Sequence, residues 1–464
     1  MKENILNKEI IIWSAALALI LAILLDYMWL SILFLLLAGS IFFYKERAII
    51  FLSIVAFLVL VSDIDQKIRL VVNISCIFSL LFIFIKNYGI NFKGYPKLPK
   101  ELTCFVSFFY LSMILSTLFS AYIFDGVQQI LQTTVFFIIV YILYSFLRDA
   151  KDIYLYFYAL LISALIIVTS IIIVFFSGNY NLIDLVAASQ LRTTGILSNV
   201  NAPGGIAIAV LPILASLMFF KGFKNRLLII SVFFLILFGI FLTTSRSALL
   251  GIFASALFIL LYFYRLKFLK YCSLLILILI VLYLIPAVND SVNLFFRIES
   301  GLSQRGYLWD ISINIIKDNP VFGIGPGAYS RVMLNYFPVM FDTFVGQELV
   351  ALKELTIGTN DSHNFFLYYF SDMGIFGLAS SFIITAIFFA VANKTINIYK
   401  AGKSIYFYLA VGITAAGVGL FVRGMFEGIG ILTYGWIKVD LPFWLIFALL
   451  IFLFQNKKEL VRIK

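Results

Sequence analysis

Charge is what this 464-residue sequence has least of. Asp, Glu, Lys and Arg make up only 12% of it, where a soluble domain carries roughly 25%. Hydrophobic residues make up 63%. A soluble core of this size has no room for so many Leu, Ile and Phe side chains, so lipid must serve as part of the solvent. A soluble globular fold is excluded on that ground. Cysteine is also scarce. Cys76, Cys104 and Cys272 are odd in number, lie in apolar runs and have no neighbour at metal-binding spacing. They are read as small buried hydrophobes, which excludes a disulfide framework and a cysteine metal site. No repeat of fixed period and no low-complexity tract is visible. Histidine occurs once, as His363. The net charge of +11 belongs first to membrane topology in so apolar a chain, and no nucleic-acid partner is expected from it.

What is present is a series of apolar runs long enough for membrane helices. They fall near 9–25, 27–43, 48–62, 70–85, 102–123, 127–147, 154–176, 202–220, 227–243, 247–264, 271–288, 364–392, 405–422 and 439–454. The expected fold is an all-α polytopic membrane protein with about 12–14 spans, since two runs can be re-entrant or fused. The N-terminal stretch has the look of a signal peptide, but no small-residue cleavage site follows, so an uncleaved first span is expected. With alternating sides and the N-terminus in the cytoplasm, 23 of the 34 Lys and Arg fall inside and 11 outside. Both termini are then cytoplasmic. The chain divides into an N-terminal bundle (1–176), a core (177–392) and C-terminal helices with a tail (393–464). Inside the core, the outer loop 289–363 is far longer than any other connection, as functional loops often are.

Within that loop, QRGYLWDISINIIK (304–317) sets Leu308, Ile311 and Ile315 at helical spacing. It reads as an amphipathic helix at the membrane surface. DNPVFGIGPGAY then breaks the helix with Pro and Gly. FGIGPG is read as a loop turn, because no strand precedes it and no Lys-Ser/Thr follows.

The polar residues at the outer ends of the spans are few enough to take singly. Arg192 lies in LRTTGILSNVNAPGG, Arg246 in TTSRSALLG, Arg305 at the start of the loop helix, Arg423 in VRGMFEGIG and His363 in TNDSHNFFLYYF. Brought into one outward cleft, arginines fork to phosphate oxygens, and a neutral imidazole with an unperturbed pKa of about 6.5 accepts a proton. Together they suit attack of a hydroxyl on a carbon whose leaving group is a lipid diphosphate, the arginines stabilising the developing charge.

RTTGILSNVNAP, TSRSALLG, QRGYLWDISINIIKDNPVFGIGPGAY and DSHNFFLYYFSDMGIFGL, in this order, resemble the motif series of the O-antigen ligase and O-antigen polymerase family over about 190–380. The resemblance implies a C-type glycosyltransferase fold in the bacterial inner membrane, with the active site on the periplasmic or outer face. It implies metal-independent, inverting transfer of a glycan from undecaprenyl diphosphate to an acceptor hydroxyl, with no cofactor. The acceptor is a lipid A core or another surface glycan in a ligase, and the next repeat unit in a polymerase. The motifs do not separate the two, and the ligase reading is preferred. By the same resemblance, Arg246 and Arg305 contact the diphosphate and His363 acts on the acceptor hydroxyl. Arg192, Asn201, Trp309, Asn364, Arg423 and Glu427 are further candidates for substrate contact.

Plainer readings stand beside these. His363 can cap the next helix. Arg246 can snorkel at a hairpin tip, and Arg192 can anchor a helix end. Arg305 can stack on Trp309 one turn later. Arg423 and Glu427 read as an ordinary i,i+4 ion pair. Asn199 and Asn201 precede Pro203 as helix caps do. Asp63 and Asp65 resemble a metal-holding pair, but two acids at a short outer turn are common, and that reading is preferred, so no metal site is expected. A lipid-linked oligosaccharide flippase is the main rival class. The conspicuous charges sit at the outer boundary, the halves look unlike each other and one outer loop dominates, which favours an enzyme. A protein oligosaccharyltransferase is less favoured, because the sequence ends soon after the last span.

Overall fold

A computed structural model of the chain describes residues 46–59, 66–89, 94–178, 193–197, 199–222, 225–265, 305–336 and 361–457, with scattered positions elsewhere. The expected spans at 9–25 and 27–43, most of 271–288, Asp63, Asp65, Cys272, Arg192 and much of the outer loop lie outside the described residues.

The described residues are helical, with no strand among them. In chain order they form α1 (Glu46–Val59), α2 (Gln66–Tyr88), α3 (Lys100–Leu118), α4 (Ile123–Ser145), α5 (Ala150–Ser177), α6 (Ala202–Leu217), α7 (Arg226–Leu242) and α8 (Arg246–Tyr264). The loop helix α9 (Arg305–Asp318) and a short α10 (Tyr329–Val332) follow, then α11 (Phe365–Tyr399), α12 (Ile405–Gly424) and α13 (Ile437–Gln455). Seven of them, α3, α4, α5, α8, α11, α12 and α13, are long and apolar enough to cross a membrane. Helices α6 and α7 are apolar but shorter, as is the Val72–Tyr88 part of α2. Helix α1, at 14 residues, reaches only about 21 Å against a hydrocarbon layer of about 30 Å. The chain is a polytopic integral membrane protein.

The two ends of the bundle differ in chemistry. At one end Arg47 pairs with Asp149 and Asp152, and Arg148 with Glu46. Asp149 and Asp152 also close a capping box at the start of α5, which satisfies the free N–H groups of that terminus. Tyr399 donates to the Leu453 carbonyl and Ser216 to that of Tyr408 near this end. The opposite end gathers the starts of α6, α8, α11 and α13 and the end of α12.

Small residues let the central helices approach closely. A Cβ on Gly251 of α8 would stand 2.8 Å from the Gly419 carbonyl of α12, and one on Gly419 would stand 2.6 Å from that of Gly251. Such contact is how helices associate where lipid removes the hydrophobic drive. Around it, nearly all of α6 and α12 is buried. This packing fixes the outer ends of α6, α8 and α12 against one another.

Two expectations are corrected here. Cys104 is exposed, whereas Cys76 is buried as expected. An exposed apolar position on a membrane helix such as α3 faces lipid, so hydrophobicity there does not imply burial. The loop helix α9 does bury Leu308, Ile311 and Ile315 as its spacing requires, but against protein. Ser312 Oγ lies 3.1 Å from the Tyr329 hydroxyl, which donates to the Leu308 carbonyl at 2.9 Å.

Candidate active site

Helix α11 runs 35 residues but breaks at Gly374, whose φ is +60° and ψ −152°. The FGIGPG turn inserts into that break. Ile324 N–H donates to the Ser371 carbonyl, Gly325 N–H to that of Asp372 and Ile375 N–H to that of Pro320. A Cβ on Gly374 would stand 2.2 Å from the Val321 carbonyl, so a side chain there meets both a steric barrier and the left-handed penalty. Asp372, fully buried beside the break, accepts from Gly327 N–H at 2.9 Å and from the Tyr434 hydroxyl at 3.1 Å. The break thus anchors the long loop onto the first turns of α11.

Those first turns carry the DSHN segment. Asp361 Oδ1 accepts from His363 N–H at 2.6 Å, an Asx turn that holds His363 at φ +50°. A non-glycine residue in the left-handed region is uncommon, and Thr244 and Tyr434, at the same end of the bundle, share it. The helix cap is Asn364. Its Oδ1 accepts from Phe366 and Leu367 N–H, each at 3.0 Å, and its Nδ2 donates to the Met425 carbonyl at 3.0 Å. The capping role considered for His363 therefore belongs to its neighbour, and the imidazole is left for other work.

The imidazole faces two carboxylates. Its Nδ1 lies 3.4 Å from Glu427 Oε2 and 3.7 Å from Asp361 Oδ1. The contact with Glu427 is close without being an aligned hydrogen bond. Glu427, with a side chain only 1% exposed, also takes Arg305 Nη2 on Oε1 at 2.5 Å, and Ser247 Oγ donates to that oxygen at 3.4 Å. One buried carboxylate therefore joins α8, the loop helix α9 and the start of α11. Arg246 opens α8 and is half-buried. It stands between Ser247 and Ser245, and the Ser245 hydroxyl donates to Asn201 Oδ1 at 2.8 Å.

The expected Arg423–Glu427 ion pair does not form. Helix α12 ends at Gly424, so Glu427 leaves the i+4 face. Arg423 is 1% exposed and donates to the backbone carbonyls of Ile429 and Asn201, each at 2.9 Å. It ties the end of α12 to the start of α6 and has no open surface for a ligand. Asn201 sits at the cap position of α6, with Pro203 in the first turn, but its side chain makes no cap hydrogen bond. Asn199 Oδ1 instead accepts from Asn201 N–H at 2.8 Å. The Arg305 guanidinium turns to Glu427 rather than over Trp309, whose ring lies 6.1 Å from that of Phe426.

Electrostatics follow from this packing. Burial alone would raise the Glu427 pKa, but contact with His363 and the charges of Arg423 and Arg305 outweigh it and bring it to about 2. Burial alone would lower the His363 pKa, but Glu427 and Asp361 hold it above its ordinary value. Asp361 is pushed up, chiefly by burial and against the pull of His363. Nearby opposite charge favours the ionised form of each partner, so Glu427 stays a carboxylate at any working pH. Nδ1 is buried, while the His363 side chain as a whole stays 25% exposed. Among the described residues, no group of three or more His, Cys, Asp and Glu side chains is arranged to hold a metal ion.

Residues 231–382 match the family model described as O-antigen ligase. Over that range the chain is similar to the O-antigen ligase family. No curated protein matches the chain. The matched O-antigen ligase range contains Arg246, Arg305, Trp309, His363, Asn364 and the helix break at Gly374. Glu427, Arg423 and Asn201 lie outside it, so the carboxylate that joins Arg305 to His363 comes from beyond the matched range. Sequence reasoning missed Asp361 and Asp372. The Asp-x-His spacing was a visible signal for the first, as an Asx turn needs that separation. An acid inside an apolar run was the signal for the second.

Proposed function

We propose that the chain transfers a glycan from undecaprenyl diphosphate to an acceptor hydroxyl on a surface glycan, as a ligase-type glycosyltransferase of the bacterial inner membrane. The observation that carries this reading is the Arg305–Glu427–His363 arrangement, with Arg246 at the adjoining helix start. Glu427 Oε2 faces Nδ1 at 3.4 Å and holds the ring by charge, which leaves Nε2 as the proton acceptor. The acceptor oxygen attacks the anomeric carbon from the face opposite the leaving group, and its proton passes to His363 Nε2. The bond from that carbon to the diphosphate oxygen breaks, and the electron pair leaves with the diphosphate. Arg305 and Arg246 stabilise the charge that grows there. Arg423 is a positioning residue in this reading, and so is Asn364. The active site faces the outer side, because the opposite end of the bundle carries the basic clusters expected at the cytoplasm.

The test is donor binding and transfer by purified protein with Arg305→Ala and Arg305→Lys. Alanine is expected to abolish transfer, and lysine to restore only part of it, because an ammonium lacks the bidentate fork. Full activity in the alanine variant, with normal insertion, removes the diphosphate site from the proposal.

A further inference from the structure

One cavity at the outer end takes no part in the chemistry above. It measures ≈ 620 Å³ and is lined in part by Asn73 of α2, Gln129 and Gln132 of α4, Ser330 of α10, and Trp436 and Lys438 at the start of α13. Asp361 also lines it, and Asp361 Oδ1 is 3.7 Å from His363 Nδ1. The cavity therefore shares one wall with the candidate active site.

Its chemistry differs from that of the arginine side. Among the described residues of the lining, Lys438 is the one basic residue and Asp361 the one acid, so their charges balance. A diphosphate needs concentrated positive charge and forked donors, which this lining lacks. Among the described residues, the side chains of Gln129, Gln132 and Ser330 have no hydrogen-bond partner in the protein. An amide offers donors and an acceptor side by side, and a hydroxyl offers both at one atom. Neighbouring hydroxyls of a sugar ring present the same mixture. Trp436 is 42% exposed, and Lys438 Nζ lies 5.2 Å from its ring centroid. It gives the cavity an aromatic surface on which the C–H face of a pyranose can lie. Polar groups that fix orientation beside apolar surface are the usual make-up of a small-molecule site.

We propose that this cavity binds neutral sugar residues of a glycan substrate beside His363. The proposal rests on the glycan-transfer reading for the identity of that substrate. Donor and acceptor glycans share the chemistry, and the experiment tells them apart.

Purified full-length protein in lipid nanodiscs is compared with Gln129→Leu/Gln132→Leu, Trp436→Ala and Trp436→Phe. The direct probe is the phosphate-free glycan released by hydrolysis from the lipid-linked glycan of native membranes, followed by saturation-transfer NMR. Wild type and Arg305→Ala are expected to bind it, and the double glutamine variant to lose binding about tenfold or more. In steady-state transfer, the double variant raises KM about tenfold for one glycan substrate with little change in kcat, and that substrate is the occupant. Trp436→Phe keeps the aromatic surface and retains affinity, while Trp436→Ala does not. Ser330→Ala, the smallest change, serves if the double variant fails to fold. Failure of the glycan to bind wild type, or unchanged affinity and KM in variants that melt normally, overturns the proposal. Loss of the arginine effect on transfer with glycan binding intact would instead strike the transfer reading alone.

Discussion

Glu427→Gln changes one atom of the side chain and removes one charge. Glu427 is buried, with Oε1 2.5 Å from Arg305 Nη2 and Oε2 3.4 Å from His363 Nδ1. Bringing its pKa from 4.5 to about 2 corresponds to on the order of 3 kcal/mol of charge stabilisation at about 1.4 kcal/mol per tenfold. Removing one partner of a buried pair costs roughly 3–5 kcal/mol, which agrees. The Glu427 contribution is present above its ordinary pKa and is lost only as pH falls through about 2. The His363 contribution has the opposite sign: it is complete below 6.5 and fades as pH rises through the higher folded value. Without the Glu427 charge, burial dominates at the imidazole and its pKa falls. If the neutral ring is the base, the acid limb of kcat against pH moves to lower pH. Loss of ring orientation lowers kcat by up to roughly 100-fold. The assay is a pH–rate profile of purified protein with a melting curve for each variant. An unshifted acid limb and a kcat within about threefold of wild type, in protein of normal stability, would refute the orienting role.

Arg246→Ala is expected to weaken donor affinity and lower kcat, with Arg246→Lys intermediate; equal kinetics in all three proteins would leave Arg246 a topology residue. Asn364→Ala removes both cap bonds and the tie to Met425, costing about 1 kcal/mol and displacing His363. The check is a lowered melting temperature in detergent together with a larger fall in kcat than in donor affinity. Gly374→Ala forces a Cβ against the Val321 carbonyl and is expected to unseat the FGIGPG turn, read as new protease sensitivity within 305–336.

Some span ends were legible because apolar run length reports them directly, while others moved, as where the run at 102–123 became α3, Lys100–Leu118. The run at 247–264 became α8, Arg246–Tyr264, and the run at 439–454 became α13, Ile437–Gln455. The break at Gly374 was not legible, because the apolar pattern continues through it and only the inserted turn reveals the kink. Cys104 failed for a related reason. Hydrophobicity marks buried positions against water, but a membrane helix is apolar on both faces. Within the candidate site, His363 was legible as an isolated polar residue at an apolar boundary, and Arg305 as the start of the amphipathic loop helix. Their link through Glu427 was hidden, because helix spacing pairs Glu427 with Arg423, and the early end of α12 undoes that pairing. Asn201 and Asn364 show the same limit. Both sit at helix starts, yet only Asn364 turns its side chain to the cap, since the Ser245 hydroxyl occupies Asn201 Oδ1.

Transfer by the purified protein in lipid nanodiscs, with native lipid-linked glycan, acceptor and no transmembrane gradient, tests the central claim most directly when wild type and His363→Ala are compared. The expected result is product from wild type, and a kcat lowered about 100-fold or more in the variant with donor affinity nearly unchanged. An idle wild-type protein, or a variant that transfers as fast as wild type, would contradict it.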